Sequence, residues 1–169
     1  MENKNLALWE KVQDTPTEII QKIKAEDGTE LNNVAPIHRL KKATEIFGTY
    51  GKNWGLKNIK HSEQKIFNNL ILGTLDAIFF YTHNDIKIEF EITNSIPIVS
   101  VSDDKKMKVN YTYRKAIETD TITKALSRLG FNADIYTDSE LIAGTQAQSD
   151  FDGMELVEIE AKENKENEQ

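Results

Sequence analysis

Arg114, Thr121, Lys124 and Arg128 lie within one run, YRKAIETDTITKALSRLGFNADIY, residues 113–136. On a helix turning about 100° per residue they form a single stripe of three cations and one hydroxyl. Lysine and arginine donate to phosphate oxygens, and threonine hydroxyls can join them, so the stripe suits a repeating line of phosphates. A solvated helix face, paired with Glu118 and Asp120, is the other reading of the same residues. Ile122, Ala125, Leu126 and Leu129 share a neighbouring arc, which predicts the face that packs on a sheet.

Other side chains could join such a surface. Lys105, Lys106 and Lys108, in the loop before this helix, either extend a groove or decorate a solvated loop. Lys52 sits in a glycine-bearing turn between Tyr50 and Trp54, and the two aromatic rings either stack on bases or fill the core. Arg39 adds a cation on an earlier helix.

The residues of several other chemistries are missing. There is no cysteine, so disulfides, thiol nucleophiles and thiolate metal sites are excluded, which suits a reducing cytosol. Gly51-Lys52 is no phosphate-binding loop, because no glycine stands five positions earlier and no serine or threonine follows the lysine. His38, His61 and His83 fall in different elements, and the His61–Glu63 pair lacks the cysteine ligands of a zinc deaminase. Asp103 and Asp104 lie among lysines and read as solvated. The sequence predicts no catalytic centre, metal or cofactor.

Charge is unevenly spread. The formal net charge is -7, but residues 1–34 hold 4 basic and 7 acidic side chains, residues 35–137 hold 15 and 11, and residues 138–169 hold 2 and 10. A mildly basic middle with an acidic appendage points to an anion-binding core, or to a core with a solubilising tail. No stretch of about 18 apolar residues occurs, so no membrane span is predicted. The charged start, MENKNLALWEKVQD, does not read as a signal peptide.

The elements that must position these residues follow from periodicity. NLALWEKV and PTEIIQKI each show helical spacing, so residues 1–34 predict an N-terminal helical extension, with EDGTELNN as a loop. PIHRLKKATEIFG is a clearer helix, opened by Pro36 and closed by Gly48. A glycine turn then leads into a strand, and residues 65–82 read as a long apolar strand. IKIEFEIT alternates strictly, which predicts a strand with one buried and one wet face. No helix separates these strands, so an antiparallel meander is expected rather than a βαβ array. SIPIVSVSDDKKMKVN reads as a loop or hairpin, FNADIY as a last short strand, and the chain from Thr137 onward as a polar, disordered end.

Four pieces, RLKKATEIFG (39–48), NWGLKNI (53–59), NSIPI (94–98) and RKAIETDTITKALSRLGFNADIY (114–136), carry a resemblance. They resemble the phage single-strand annealing proteins and, more distantly, their eukaryotic recombination-mediator relatives of the Rad fifty-two type. The resemblance spans about residues 30–137. It implies an α+β fold, in which an antiparallel β-meander packs against a long C-terminal helix (a β-β-β-α core) behind N-terminal helices. It further implies a core domain at 35–137, homo-oligomeric rings or helical filaments, and single-stranded DNA held in a basic groove between sheet and helix. Annealing of complementary strands without nucleotide hydrolysis, in the cytoplasm of a bacterial host, is the implied activity. Lys124 takes a basic position of that family, whereas Thr123 and Ser127 stand where relatives often carry further cations, and Arg128 is displaced by one. That thinning leaves a second expectation open, a protein-interaction module on the same fold without annealing activity, with the acidic tail as a contact for a protein partner.

Overall fold

The strict alternation of residues 86–93 does build a strand, which continues further than the pattern alone. Of its apolar face only Phe90 and Ile92 turn into the core, while Ile86 and Ile88 stay exposed. In a computed structural model, which describes residues 6–24, 28, 30–67, 70–101 and 107–135, four antiparallel strands form a meander. They are β3 (Trp54–Phe67), β4 (Leu70–His83), β5 (Ile86–Val101) and β6 (Met107–Val109). They neighbour one another in chain order. The β4–β5 turn is Asn84–Asp85, both with positive φ, the twist that a two-residue hairpin loop requires.

Ahead of them come helix α1 (Ala7–Val12), strands β1 (Ile20–Lys24) and β2 (Glu30–Val34), and helix α2 (Pro36–Phe47). Helix α3 (Tyr113–Ser127) follows the meander and packs on β4 and β5, with a smaller contact to β3. The fold is therefore α+β, a meander packed on a helix, as the sequence predicts. At about 1.5 Å per residue α3 spans about 22 Å, against about 50 Å for β5. It covers less than half the length of the sheet.

One face of the sheet and the two larger helices make the core. Trp54, Phe79, Leu75, Ile117, Leu126 and Phe131 are fully buried there. Phe47 of α2 stacks at 4.9 Å from Tyr81 and 5.7 Å from Phe131. The other face of the sheet is polar. Lys57 bonds Glu89 at 2.6 Å, Thr93 donates to Asp76 at 2.6 Å, and the hydroxyls of Thr74 and Ser95 meet at 2.8 Å.

Three expectations are corrected. PTEIIQKI is not a helix: a single 3-10 turn, Thr17–Ile19, leads into β1, which pairs with β2. Its isoleucines are β-branched, and the register sets Ile20 beside Val34 and Ile23 beside Leu31, so strand pairing overrides the helical spacing. The loop predicted at EDGTELNN is thus partly β2. Of the loop or hairpin expected at SIPIVSVSDDKKMKVN the hairpin is found: β5 runs on to Val101 and the short strand β6 returns against it. The described part of FNADIY, residues 131–135, is not a strand either. Phe131 is buried, Asn132 has φ of 58°, and Ala133–Ile135 form a 3-10 turn.

That last segment is a staple. The Asn132 amide donates to Thr15 Oγ1 at 2.8 Å, and its Oδ1 accepts from Arg39 Nε at 3.3 Å. Asp134 accepts from the Thr15 amide at 2.7 Å and from its hydroxyl at 2.6 Å. Gly130, at φ of 93°, lets the chain turn into this staple beneath Trp9; a Cβ there would sit 2.5 Å from the indole. Residues 138–169 and Lys105–Lys106 lie outside the described residues, as does the expectation of a disordered tail.

Candidate nucleic-acid interface

Along α3 the predicted stripe is interrupted at Thr121, which lies in the packing face, while Arg114, Lys124 and Arg128 stay at the surface. Ile117 and Thr121 are fully buried under the helix. The Thr121 hydroxyl donates to Ile117 O at 2.6 Å and accepts from Asn94 Nδ2 at 3.3 Å. Thr121 is therefore a core hydroxyl with no reach to a phosphate, and its place in the predicted stripe is withdrawn. The helix is buried on more than one side, because α2 packs on it as well as the sheet. A single predicted packing arc underestimates that contact.

Two margins of α3 remain at the surface. On the β5 side, Lys124 Nζ makes an ion pair with Asp120 at 2.8 Å and donates to Asn94 Oδ1 at 2.7 Å. Asn94 in turn donates to Asp120 Oδ2 at 2.8 Å. Asp120 and Asn94 are buried, whereas the Lys124 side chain is 40% exposed. An ammonium group has three N–H donors, and two are used here. One remains for an anion outside.

On the β3 side, Tyr113 bonds Glu63, Arg114 Nε meets the Tyr113 hydroxyl at 3.0 Å, and Arg114 Nη2 lies 4.0 Å from Glu63. Tyr113 reaches Glu63 by lying flat over Gly73 of β4, where a Cβ would fall 2.7 Å from its ring. Arg114 stays 68% exposed, with its guanidinium 5.7 Å from the Tyr113 ring. The tyrosine raises the pKa of that guanidinium further through its hydrogen bond. Nearby, burial first and Glu118 second push the Tyr50 phenol above its ordinary value.

The other predicted contacts divide. Trp54 is fully buried, its indole donating to Gly48 O at 2.9 Å, so it anchors the glycine turn and does not stack on bases. Arg39 is buried against Asn132 and belongs to the staple. Lys52 and Arg128 are exposed, and Lys108 is half-buried in β6 opposite Ser100. Tyr50, edge-on to Trp54 at 4.9 Å, keeps an exposed face. Among the described residues no three His, Asp or Glu side chains converge to hold a metal ion.

Asn94 is the residue that sequence reasoning passed over. It continues the series Ile88, Phe90, Ile92 on the core phase of β5, where an amide must find buried partners. That break in the apolar phase is the signal that marks it. The sequence offers Asp120 as a partner of the helix cations on a solvated face; in the fold it is buried and pairs with Lys124.

Compared with known proteins, the chain matches no family model and no curated protein sequence.

Proposed function

We propose that this protein binds single-stranded DNA and anneals complementary strands without nucleotide hydrolysis, as a recombination protein of the phage single-strand annealing class. The observation that carries the reading is Lys124. It is a part-exposed lysine at the seam of helix and sheet, held by Asn94 and Asp120 through two of the three donors of its ammonium. A cation held in that way grips a phosphate and leaves base edges free to pair with a second strand. The four-stranded meander under α3 and the resemblance of residues 30–137 support the same reading.

Binding of a fluorescent oligo-dT should be strongest at low salt and fall steeply as salt rises, because phosphate contacts release counterions. Lys124→Ala together with Arg128→Ala should weaken it with the fold intact by circular dichroism. Absence of binding at low salt would sink the proposal.

A second reading, a protein-interaction module without annealing activity, is favoured by one fact: both margin cations already lie beside acids, Lys124 at 2.8 Å from Asp120 and Arg114 at 4.0 Å from Glu63. Capture of a protein partner by a chain that does not accelerate annealing of complementary oligonucleotides decides for it.

A further inference from the structure

β3 is an edge strand. It has a neighbour only on its β4 side, and among the described residues no strand pairs with its outer side. Such an edge offers backbone donors and acceptors to any extended chain, and proteins cover, charge or interrupt it. A bulge where Asn58, at φ of 55°, and Ile59 fall out of register interrupts this one, and regular pairing with β4 runs over residues 60–65. Lys60 and Lys65 are exposed on that run, with Ile59 and Ile66 exposed at its two ends. Five positions apart on a strand, the two lysines face opposite sides of the sheet. The free side of β5, residues 86–98, carries instead Glu89 and Glu91 against Lys87.

The chain itself supplies a segment of matching chemistry. Residues 150–160, DFDGMELVEIE, hold five acids and no base, and they follow Ile135, the last described residue. On a helix turning about 100° per residue, Phe151, Met154, Leu156, Val157 and Ile159 scatter round the whole circumference and gather no apolar face. Extended, residues 154–160 set Glu155 with Val157 and Ile159 on one side, and Glu158 and Glu160 with Met154 and Leu156 on the other. Acids on both sides of a β-branched run answer lysines on both sides of an edge. Reach is sufficient. Residues 136–153 can span about 60 Å, against about 50 Å for β5, the longest strand.

We propose that residues 154–160 of the acidic tail dock as a further strand on the free edge of β3, along residues 60–65. Opposite charges facing one another stabilise a strand pair and like charges destabilise it, so the tail is drawn to β3 and repelled from β5. The tether holds the tail at an effective concentration of about millimolar, so a short pairing suffices. A docked tail closes the edge to other chains. It also brings carboxylates to the margin where Arg114 lies near Glu63, so an anion reaching that margin must displace them. This last consequence rests on the reading of single-stranded DNA binding; the docking does not.

Hydrogen exchange of the full chain, read on peptides covering residues 60–66, tests the docking. Val157→Pro with Glu158→Pro removes two consecutive amide donors, one of which faces β3 whichever the phase. Exchange over residues 60–66 should quicken about tenfold or more while residues 75–81 of β4 keep their protection. Glu155→Lys, Glu158→Lys and Glu160→Lys together should do the same, as should Lys60→Glu with Lys65→Glu. Combining the two charge reversals should restore slow exchange. Should the β3 double variant unfold, seen as fast exchange in β4, Lys60→Glu alone serves in the same combination. Exchange indifferent to the prolines, or no restoration in the combination, overturns the docking. Protection that is lost on dilution assigns the strand to the tail of another copy and overturns it too. With oligo-dT, the proline variant should bind about fivefold or more tightly than the native chain. Equal affinity overturns the competition, and chains that bind no oligo-dT overturn the proposed function while leaving the docking in place.

Discussion

The two margins of α3 hold a cation in opposite ways. On the β5 side Lys124 is fixed by Asp120 and Asn94, both buried, and the three form one closed set of bonds. On the β3 side Arg114 leans on the part-buried Tyr113 and on Glu63, whose side chain is open to water, and its nearest carboxylate oxygen is 4.0 Å away. The first arrangement is rigid because an unmade bond in the interior is costly. The second is held weakly, since exposed ion pairs contribute little and are screened by salt. Two basic residues on one helix therefore have different work: one defines a fixed point, and the other can change partners.

The comparison breaks most readily at Asp120. Asp120→Ala strips Lys124 of its counter-charge and the Asn94 amide of its closer acceptor, so a loss of about 2 kcal/mol in urea unfolding is expected. A loss no larger than that of an ordinary surface substitution would show that the β5 margin is not a built site. Gly73→Ala comes next. Its Cβ must push the Tyr113 ring aside and with it the contact to Glu63, at a cost of about 1 kcal/mol. Because the change frees Arg114, oligo-dT binding should tighten or hold while stability falls; a fall in both would place Arg114's present geometry in the binding surface.

The two cations themselves give a smaller and sharper contrast. Lys124→Ala should lower both stability, by about 1 kcal/mol, and affinity for oligo-dT. Arg114→Ala should leave stability within about 0.5 kcal/mol and act on affinity alone. Equal stability effects would erase the distinction between the margins.

The smallest effect is expected at high pH on the β3 side. Burial and Glu118 hold the Tyr50 pKa above its ordinary value in the folded chain, so the unfolded chain releases this proton first. Stability should be unaffected by Tyr50 below pH of about 10 and fall as pH rises from there through the folded value. Tyr50→Phe should remove that part of the alkaline slope, read from urea midpoints on either side of the tyrosine range. An unchanged slope would remove the phenol from the electrostatics of this margin.

Where one pattern had no competitor, the sequence was a sufficient guide. The period of two in IKIEFEIT, and Pro36 and Gly48 around α2, became the strand and helix they predict, whereas the apolar run 65–82 is divided, Lys65–Phe67 closing β3 and Leu70–His83 forming β4. PTEIIQKI failed because its isoleucines fit a helical stripe and a strand equally well in isolation, and only the presence of Leu31 and Val34 across the ribbon decides. At the candidate site, the choice of α3 and the cations Lys124 and Arg114 could be read from residue type. The burial of Thr121, Trp54 and Arg39 could not, since a residue that can bind a phosphate or a base can equally satisfy a core partner.

What the sequence by itself determined is a basic middle, an antiparallel meander and a helix after it bearing cations at fixed spacing. These are properties of periodicity and charge, which act within a few residues. Which cations face outward was decided by tertiary structure alone. That outcome depends on Asn94 bonding both Asp120 and Lys124 and on Gly73 letting Tyr113 reach Glu63, contacts between residues 26 to 50 positions apart that no local pattern encodes.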